Sequence, residues 1–77
     1  MDIKVLGLGH VKSSITEETI RLILIEESLQ ASVEKVTGSK KIASYGIFLT
    51  PSVVIDGEVK CVGRIPSIEE IRAWIKR

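Results

Sequence analysis

The sequence predicts an α/β fold in which a four-stranded mixed sheet carries helices on both faces. Three observations lead to this fold class. Asp56-Gly57 separates two β-branched runs, the strongest short-range signal for a β-hairpin. A short apolar strand near the start runs into a glycine turn and a long helical segment. The last segment has the apolar spacing of an amphipathic helix that packs against a sheet.

The chain is expected to begin with a strand that leads into a helix. Apolar residues over positions 3–6 form the strand, which ends in the flexible turn Gly7-Leu8-Gly9. Two starts compete for the helix. One is a capping box of Ser14 with Glu17, and the other is a start at Thr16 with acidic residues in the first turn.

This first helix is expected to be the central one. Residues from Ile20 to Leu29 are apolar on most sides, which favours a helix covered by other elements. Apolar residues between Ala31 and Val36 then indicate a second strand, which Thr37-Gly38-Ser39 ends. A right-handed crossover is expected for this β-α-β unit.

The second half supplies a short helix, the hairpin and a closing helix. Lys40 to Tyr45 can form the short helix, with Gly46 just beyond its end, where a left-handed residue is commonly glycine. The hairpin strands cover residues 50–55 and 58–62. The closing helix follows Pro66, with a capping box at its start and basic residues near its end. The order is β-α-β-α-β-β-α, and residues 1–77 are expected to form a single domain.

Composition limits the classes of function. The 77 residues carry a net charge of +1, with no basic stripe that would release counterions from nucleic acid. No apolar stretch approaches the ~20 residues of a membrane-spanning helix, and the first residues lack a signal-peptide pattern. We therefore expect a cytoplasmic protein with neither a nucleic acid nor a membrane as partner. Its oligomeric state is open, because a core of this size leaves room for stabilisation by self-association.

Cys61 is the only cysteine, which excludes an internal disulfide and any Cys-x-x-Cys motif for redox chemistry or zinc. It alternates with Val59 along the second hairpin strand, so both side chains are expected on one face of the sheet. A free cysteine in an apolar strand behaves as a small hydrophobe, and we expect it to be buried and slow to react. The sequence indicates no metal or cofactor site.

Several motifs resemble one family nearly from end to end. They are the initial Met-Asp-Ile-Lys-Val-Leu-Gly-Leu-Gly, Val33-Glu34-Lys35-Val36, Tyr45-Gly46-Ile47, Thr50-Pro51-Ser52-Val53-Val54-Ile55-Asp56-Gly57, Val62-Gly63-Arg64 and Pro66-Ser67-Ile68-Glu69-Glu70-Ile71. The chain resembles the small archaeal and bacterial "redox-active disulfide protein" family of glutaredoxin-like thioredoxins, which has the thioredoxin fold. Members normally follow the Gly-x-Gly turn with Cys-x-x-Cys, whose first thiolate is stabilised at a helix N-terminus.

The resemblance implies both a missing reaction and a retained cleft. His10 and Ser13 occupy the two cysteine positions, and neither an imidazole nor a hydroxyl can form or resolve a mixed disulfide. Pro51 aligns with the proline that is cis across this fold, and Thr50 before it would offer backbone hydrogen bonds to an extended peptide or glutathione. The cleft implied by the resemblance is formed by Gly9, His10, Thr50, Pro51, Gly63 and Arg64.

The polar residues near this cleft have alternative interpretations. His10 is interpreted as an exposed loop residue rather than a metal ligand or general base, because no second histidine or nearby acid completes a site. Ser13 is interpreted as a helix-capping hydroxyl rather than a nucleophile. Lys12 and Arg64 could together offer two cations to an anion.

Three functions remain open from the sequence. The first is a redox-inactive module that binds a peptide or small thiol compound. The second is a thiol-disulfide oxidoreductase, either through a natural form that carries the cysteine pair or through Cys61 as a single reactive thiol. The third is a subunit that contributes its outer face to an assembly. Dithiol–disulfide activity is not expected of the sequence as it stands.

Overall fold

A computed structural model describes residues 1–9 and 11–76, and its elements follow the predicted order. The strands are β1 (Asp2–Leu6), β2 (Ser32–Val36), β3 (Ser52–Ile55) and β4 (Glu58–Val62). The helices are α1 (Val11–Glu26), α2 (Ser39–Ser44) and α3 (Ile68–Ile75). None of the helices in this part of the chain is long and apolar enough to cross a membrane.

The four strands form one mixed sheet in the order β2-β1-β3-β4. β1 is parallel to β2 and antiparallel to β3, and β3 pairs with β4 as an antiparallel hairpin. The C-terminal ends of β1, β2 and β4 therefore lie beside the start of β3. We call this edge the upper end of the sheet, and the starts of all three helices follow or adjoin it.

Two apolar clusters cover opposite faces of the sheet, as the predicted fold class requires. The cluster under α1 and α3 contains Ile3, Val5, Ile20, Ile23, Leu24, Val53, Ile55, Cys61, Ile71 and Ile75. The cluster under α2 contains Leu6, Val36, Ile42, Ile47 and Val54. Val53 and Val54 belong to different clusters because successive residues of a strand point to opposite faces. The predicted α/β sheet with helices on both faces is confirmed.

The hairpin turn forms where it was predicted, but the strand after it is irregular. Asp56 and Gly57 have φ angles of 50° and 81°, the left-handed pair of a type I′ turn. Val53 pairs with Cys61 whereas Val54 pairs with Val59, so a β-bulge breaks the register between them. The prediction that Val59 and Cys61 share a face is therefore wrong. Cys61 is buried under α1 and α3, and Val59 is exposed on the opposite face.

The start of α1 also differs from the prediction. The helix begins at Val11, so Ser14 and Thr16 lie inside it and neither is its first residue. Gly9 has a φ of 83°, a left-handed conformation that glycine adopts without steric cost, just before the helix. The Ser14 hydroxyl accepts a hydrogen bond from Lys35 Nζ at 2.8 Å, and the Thr16 hydroxyl donates to the Lys12 carbonyl at 2.9 Å.

The outer side of α1 is open, which corrects the expectation of a helix covered on most sides. α1 packs on β1, β2 and α3, all of which lie on one side of it. Leu22 and Ile25 face away from these neighbours, and Ile25 is 73% exposed. A sheet of four strands with one companion helix is too narrow to cover the remaining surface of α1.

Candidate functional site

A cleft lies at the upper end of the sheet, between the first turn of α1 and the loop that precedes β3. Its volume is about 480 Å³, and its walls are formed by Gly7, Val11, Lys12, Ser13, Thr50 and Pro51. Two of the residues of the implied cleft, Thr50 and Pro51, thus lie beside Ser13, which occupies one of the two cysteine positions of the family. His10 lies outside the described residues. Gly9, Gly63 and Arg64 do not line this cleft.

The Thr50–Pro51 peptide bond is cis, and the loop around it is tied to the end of β4. The Pro51 carbonyl accepts hydrogen bonds from the backbone N–H groups of Gly63 at 2.9 Å and Arg64 at 3.2 Å. None of the described hydrogen bonds uses the backbone groups of Thr50. Gly63 and Arg64 therefore support the Pro51 wall from behind, while Thr50 keeps its backbone groups unengaged beside the cleft.

The close approach of the loop to β4 explains why residue 63 is a glycine. Its φ of 74° is left-handed, and a Cβ atom on Gly63 would lie 3.0 Å from the Leu49 Cβ. The Ser52 hydroxyl adds two further contacts, donating to the Leu49 carbonyl at 2.6 Å and accepting from the Gly63 N–H at 3.3 Å. These bonds fix the segment on both sides of Pro51.

The opposite wall is formed where the end of β1 touches the first turn of α1. A Cβ atom on Gly7 would overlap the Cβ and Oγ atoms of Ser13. Ser13 is only 1% exposed, so it forms the buried base of the cleft. Val11, by contrast, is 74% exposed and provides an apolar rim.

The two cations that the sequence placed near the cleft have different roles. Lys12 lies in the cleft wall. Both terminal nitrogens of the Arg64 guanidinium donate to the Glu70 carboxylate at 2.7 Å. This pair, helped by the Ser67 N–H, lowers the pKa of Glu70 to about 2. The suggested two-cation anion site is therefore not formed, because Arg64 connects the β4 end to α3.

Cys61, the only cysteine, is absent from the described cleft walls. It is buried within the cluster under α1 and α3. Its Sγ atom lies 3.8 Å from the Arg64 carbonyl oxygen, to which the thiol donates. Burial raises the pKa of the Cys61 thiol, and the positive charge of Arg64 opposes this shift only in part. A buried, protonated thiol is a poor nucleophile.

A second hollow, which sequence reasoning missed, adjoins the first through Thr50. Its volume is about 160 Å³, and its walls are formed by Leu8, Ser39, Ile42, Ala43, Ile47, Phe48 and Thr50. Phe48 is 81% exposed, and Leu49 beside it is also exposed. The signal available in the sequence was this pair of large apolar residues directly before Thr50-Pro51, outside any regular element.

The chain matches a known family along almost its whole length. The model of a family described as a thioredoxin domain matches residues 1–76. The chain belongs to the thioredoxin family.

Two proteins named thioredoxin illustrate this relationship within the family. The thioredoxin of Methanocaldococcus jannaschii is 35% identical over 74 residues, which cover 96% of this chain and 85% of that protein. The thioredoxin of Methanothermobacter thermautotrophicus is 32% identical over 72 residues, which cover 94% of each chain. The similarity thus extends over both walls of the cleft.

Because the chain belongs to the thioredoxin family, the residues that line its cleft indicate which reactions the cleft can support. This thioredoxin-family chain has one cysteine, and that cysteine is on β4 in the core. None of the described residues that line the cleft carries sulfur. The arrangement can offer backbone hydrogen bonds, apolar surface and the Lys12 cation, but no thiol for an exchange reaction.

Proposed function

We propose that this thioredoxin-family chain is a binding module that holds an extended peptide or a small thiol compound beside Thr50 and Pro51, without dithiol–disulfide exchange. The observation that carries the proposal is a cleft between the first turn of α1 and the Thr50–Pro51 loop, with no sulfur among its described lining residues. The unpaired cysteine also accords with a reducing compartment, and we include a cytoplasmic location in the proposal.

The chemistry of thiol–disulfide exchange explains why the proposed function does not include that reaction. A thiolate must attack one sulfur of the substrate disulfide, and a second thiol must then release the mixed disulfide. Ser13 cannot perform the second step, because a serine hydroxyl does not attack the sulfur of a mixed disulfide to form a new disulfide. Cys61 lies in the core with a raised pKa, so it offers neither access nor a thiolate.

The backbone at Thr50 supports the binding part of the proposal. Its N–H and C=O groups take part in none of the described hydrogen bonds, although Thr50 borders two hollows. Main-chain groups left unpaired at an edge can add an extended segment by strand-like hydrogen bonding. Glutathione, itself a short peptide, can use the same groups.

Reduction of insulin disulfides by dithiothreitol tests the missing reaction. The unmodified chain should not accelerate the reaction above the uncatalysed rate, whereas the His10→Cys/Ser13→Cys double variant should accelerate it. Acceleration by the unmodified chain that disappears in Cys61→Ala would instead establish a single-cysteine enzyme and overturn the proposal. Circular dichroism of each variant verifies that it is folded.

Binding is tested separately by NMR. Glutathione, in its reduced form and S-methylated to remove thiol chemistry, is titrated into the labelled protein alongside a short extended peptide. Binding at the cleft should shift the amide resonances of Lys12, Ser13 and Thr50, and leave those of the Asp56-Gly57 turn unchanged. If neither ligand class shifts the cleft residues at millimolar concentration, the binding function is wrong.

A further inference from the structure

The basic residues of the chain divide into two groups by their partners. Six of those in the described part form ion pairs with carboxylates; they are Lys4, Arg21, Lys60, Arg64, Arg72 and Lys76. Four others form no ion pair with a described residue; they are Lys12, Lys35, Lys40 and Lys41. A lysine without a carboxylate partner leaves its charge available to a ligand.

The four lysines that form no ion pair with a described residue all lie at the upper end of the sheet, where Lys35 donates to the neutral Ser14 hydroxyl. Lys12 lines the cleft, and Lys35 is one residue from the end of β2. Lys40 and Lys41 lie in the first turn of α2, directly after Ser39, which lines the second hollow. The pKa of Glu34 is lowered mainly by its hydrogen bond from Lys4, and the charge of Lys41 adds a smaller contribution.

The connecting segments at this end contain no acidic residue. Residues 7–16, 37–51 and 62–67 include neither aspartate nor glutamate. Of the carboxylates that follow these segments, Glu17 pairs with Arg21 and Glu70 pairs with Arg64. Glu69, in the first turn of α3, adds one negative charge against the four lysines. The mouth of the cleft therefore carries a net positive charge, although the whole chain is nearly neutral.

Exposed apolar side chains occupy the same surface as these lysines. Val11 and Phe48 are among the most exposed large apolar residues in the described chain, and Leu8 and Leu49 are exposed beside them. An apolar patch with a charged rim is characteristic of a site that binds another molecule. Its ligand must present apolar groups to the hollows and negative charge to the rim.

The two hollows determine the form of that ligand. Thr50 belongs to the walls of both, so the two hollows lie next to each other at this residue. In an extended chain, residues i and i+2 point to the same side and are about 7 Å apart. A strand that pairs with Thr50 can therefore direct two alternate side chains toward the two hollows.

We infer that the ligand of this cleft is an extended segment of another protein, with two apolar residues at alternate positions flanked by aspartate or glutamate. This inference rests on the proposed binding function and narrows its ligand to one chemical class. An anionic membrane would also offer apolar and negative groups. Concave hollows around unpaired backbone groups favour a peptide, because a membrane surface offers no strand to pair with them.

The test uses fluorescence anisotropy with three labelled peptides that differ only in charge. The acidic probe is Asp-Glu-Leu-Thr-Val-Glu-Asp, the neutral probe replaces its acids by asparagine and glutamine, and the basic probe replaces them by lysine. We expect the acidic probe to bind about ten-fold more tightly than the neutral one, and the basic probe to bind most weakly. Added salt should reduce this difference.

Matched variants locate the charge effect. Lys12→Ala/Lys40→Ala should weaken binding of the acidic probe about ten-fold and leave the neutral probe nearly unchanged. The control Lys60→Ala/Lys76→Ala removes two positive charges that are already paired, and should change neither affinity by more than about two-fold. Equal weakening by both double variants would overturn the inference, because it would show a response to net charge alone.

The remaining outcomes separate this inference from the proposed function. Equal binding of the acidic and neutral probes at the cleft overturns the acidic preference and leaves the binding module intact. Binding of glutathione but of none of the peptides also overturns the inference of an acidic peptide ligand, and it too leaves the binding module intact. Binding only to vesicles that contain phosphatidylserine overturns the peptide ligand. The binding part of the proposed function fails if neither peptide nor glutathione binds.

Discussion

The chain contains the same four-residue pattern twice, at Ser14-Ile15-Thr16-Glu17 and at Ser67-Ile68-Glu69-Glu70. The second pattern begins α3 as a capping box. The Ser67 hydroxyl accepts the Glu70 N–H at 3.1 Å, and the Glu70 carboxylate accepts the Ser67 N–H at 2.9 Å. The first pattern lies inside α1, where Ser14 accepts from Lys35 and Glu17 pairs with Arg21.

The residues before each pattern explain the difference. Pro66 precedes Ser67, and a proline there prevents a helix from extending upstream through that position. Before Ser14, Val11, Lys12 and Ser13 can all continue the helix, which therefore begins earlier. The close contact between Gly7 and Ser13 fixes the distance of the first turn of α1 from the end of β1. The same motif begins a helix only where its context stops the helix from starting sooner.

The largest expected effect comes from breaking the contact that positions α1. In Gly7→Ala the new methyl group overlaps Ser13, so the helix start or the β1 end must shift. We expect the free energy of unfolding to fall by about 2–3 kcal/mol, measured by urea denaturation. The matched control is Gly38→Ala, where the nearest atom, the Lys41 Cβ, would be 3.9 Å away.

A second variant shows whether Ser13 is the cause. Adding Ser13→Gly to Gly7→Ala removes the overlapping side chain, so the double variant should be less destabilised than the sum of the two single variants. Strictly additive effects, or a Gly7→Ala loss no larger than that of Gly38→Ala, would show that this contact does not position α1.

The next effect compares the two serines directly. Ser67→Ala removes the cap of α3 and should lower the free energy of unfolding by about 1 kcal/mol. Ser14→Ala removes a hydroxyl inside α1 and should change it by no more than about 0.5 kcal/mol. Both values come from urea denaturation under identical conditions. Equal losses in the two variants would contradict the distinction between cap and interior.

Predictions from the sequence succeeded where the signals are local. The Asp56-Gly57 turn, the glycine after α2 and the Ser67 cap each depend on a few adjacent residues, and each forms as expected. The start of α1 depends on contact with β1, and the face of Cys61 depends on a bulge in the register of β3 and β4. Neither determinant appears in the periodicity of a single segment.

The candidate site was predictable to a similar extent. Of the cleft residues that the resemblance implied, Thr50 and Pro51 line the cleft, and Ser13, a family active-site position, lies opposite them. The resemblance also included Gly63 and Arg64, which support the wall through bonds to Pro51 and Glu70. The hollow beside Phe48 was missed because it is formed by the ends of three separate segments, which only the tertiary structure brings together.

Acid denaturation should reveal the Arg64–Glu70 pair that accompanies the α3 cap. The pKa of Glu70 is lowered from 4.5 to about 2, chiefly by hydrogen bonds from Arg64. A carboxyl with a depressed folded pKa stabilises the folded state above its unfolded pKa, and this stabilisation is lost as pH falls from about 4.5 to about 2. The melting temperature of the unmodified chain should fall through this range more steeply than that of Glu70→Gln.

Comparing the unmodified chain with Glu70→Gln separates the effect of Glu70 on the melting temperature from that of the other acidic residues. Asp2 and Glu34 also have lowered pKa values, through Ser32 and Lys4 respectively, but they titrate in both proteins and cancel in the difference. Melting temperatures followed by circular dichroism from pH 5 to pH 2 give the two curves. Curves that remain parallel over the whole range would show that the pair does not contribute.

The smallest expected effect is at the other end of α1, where a serine takes the place usually held by glycine. Ser28 has a φ of 55°, its N–H donates to the Ile25 carbonyl at 3.1 Å, and the Leu29 N–H donates to the Leu24 carbonyl at 2.9 Å. This is a Schellman end with a non-glycine residue in the left-handed position. Ser28→Gly should therefore raise the free energy of unfolding by about 0.5 kcal/mol, because relief of the left-handed strain outweighs the greater freedom of glycine in the unfolded chain.

A helical serine provides the control for this last effect. Ser44→Gly, in the last turn of α2, has no left-handed strain to relieve and should destabilise the protein by up to about 1 kcal/mol. Opposite signs for the two serine-to-glycine changes, measured by urea denaturation, would show that α1 ends on a strained residue. If both changes destabilise the protein equally, the left-handed conformation at Ser28 carries no strain that glycine can relieve.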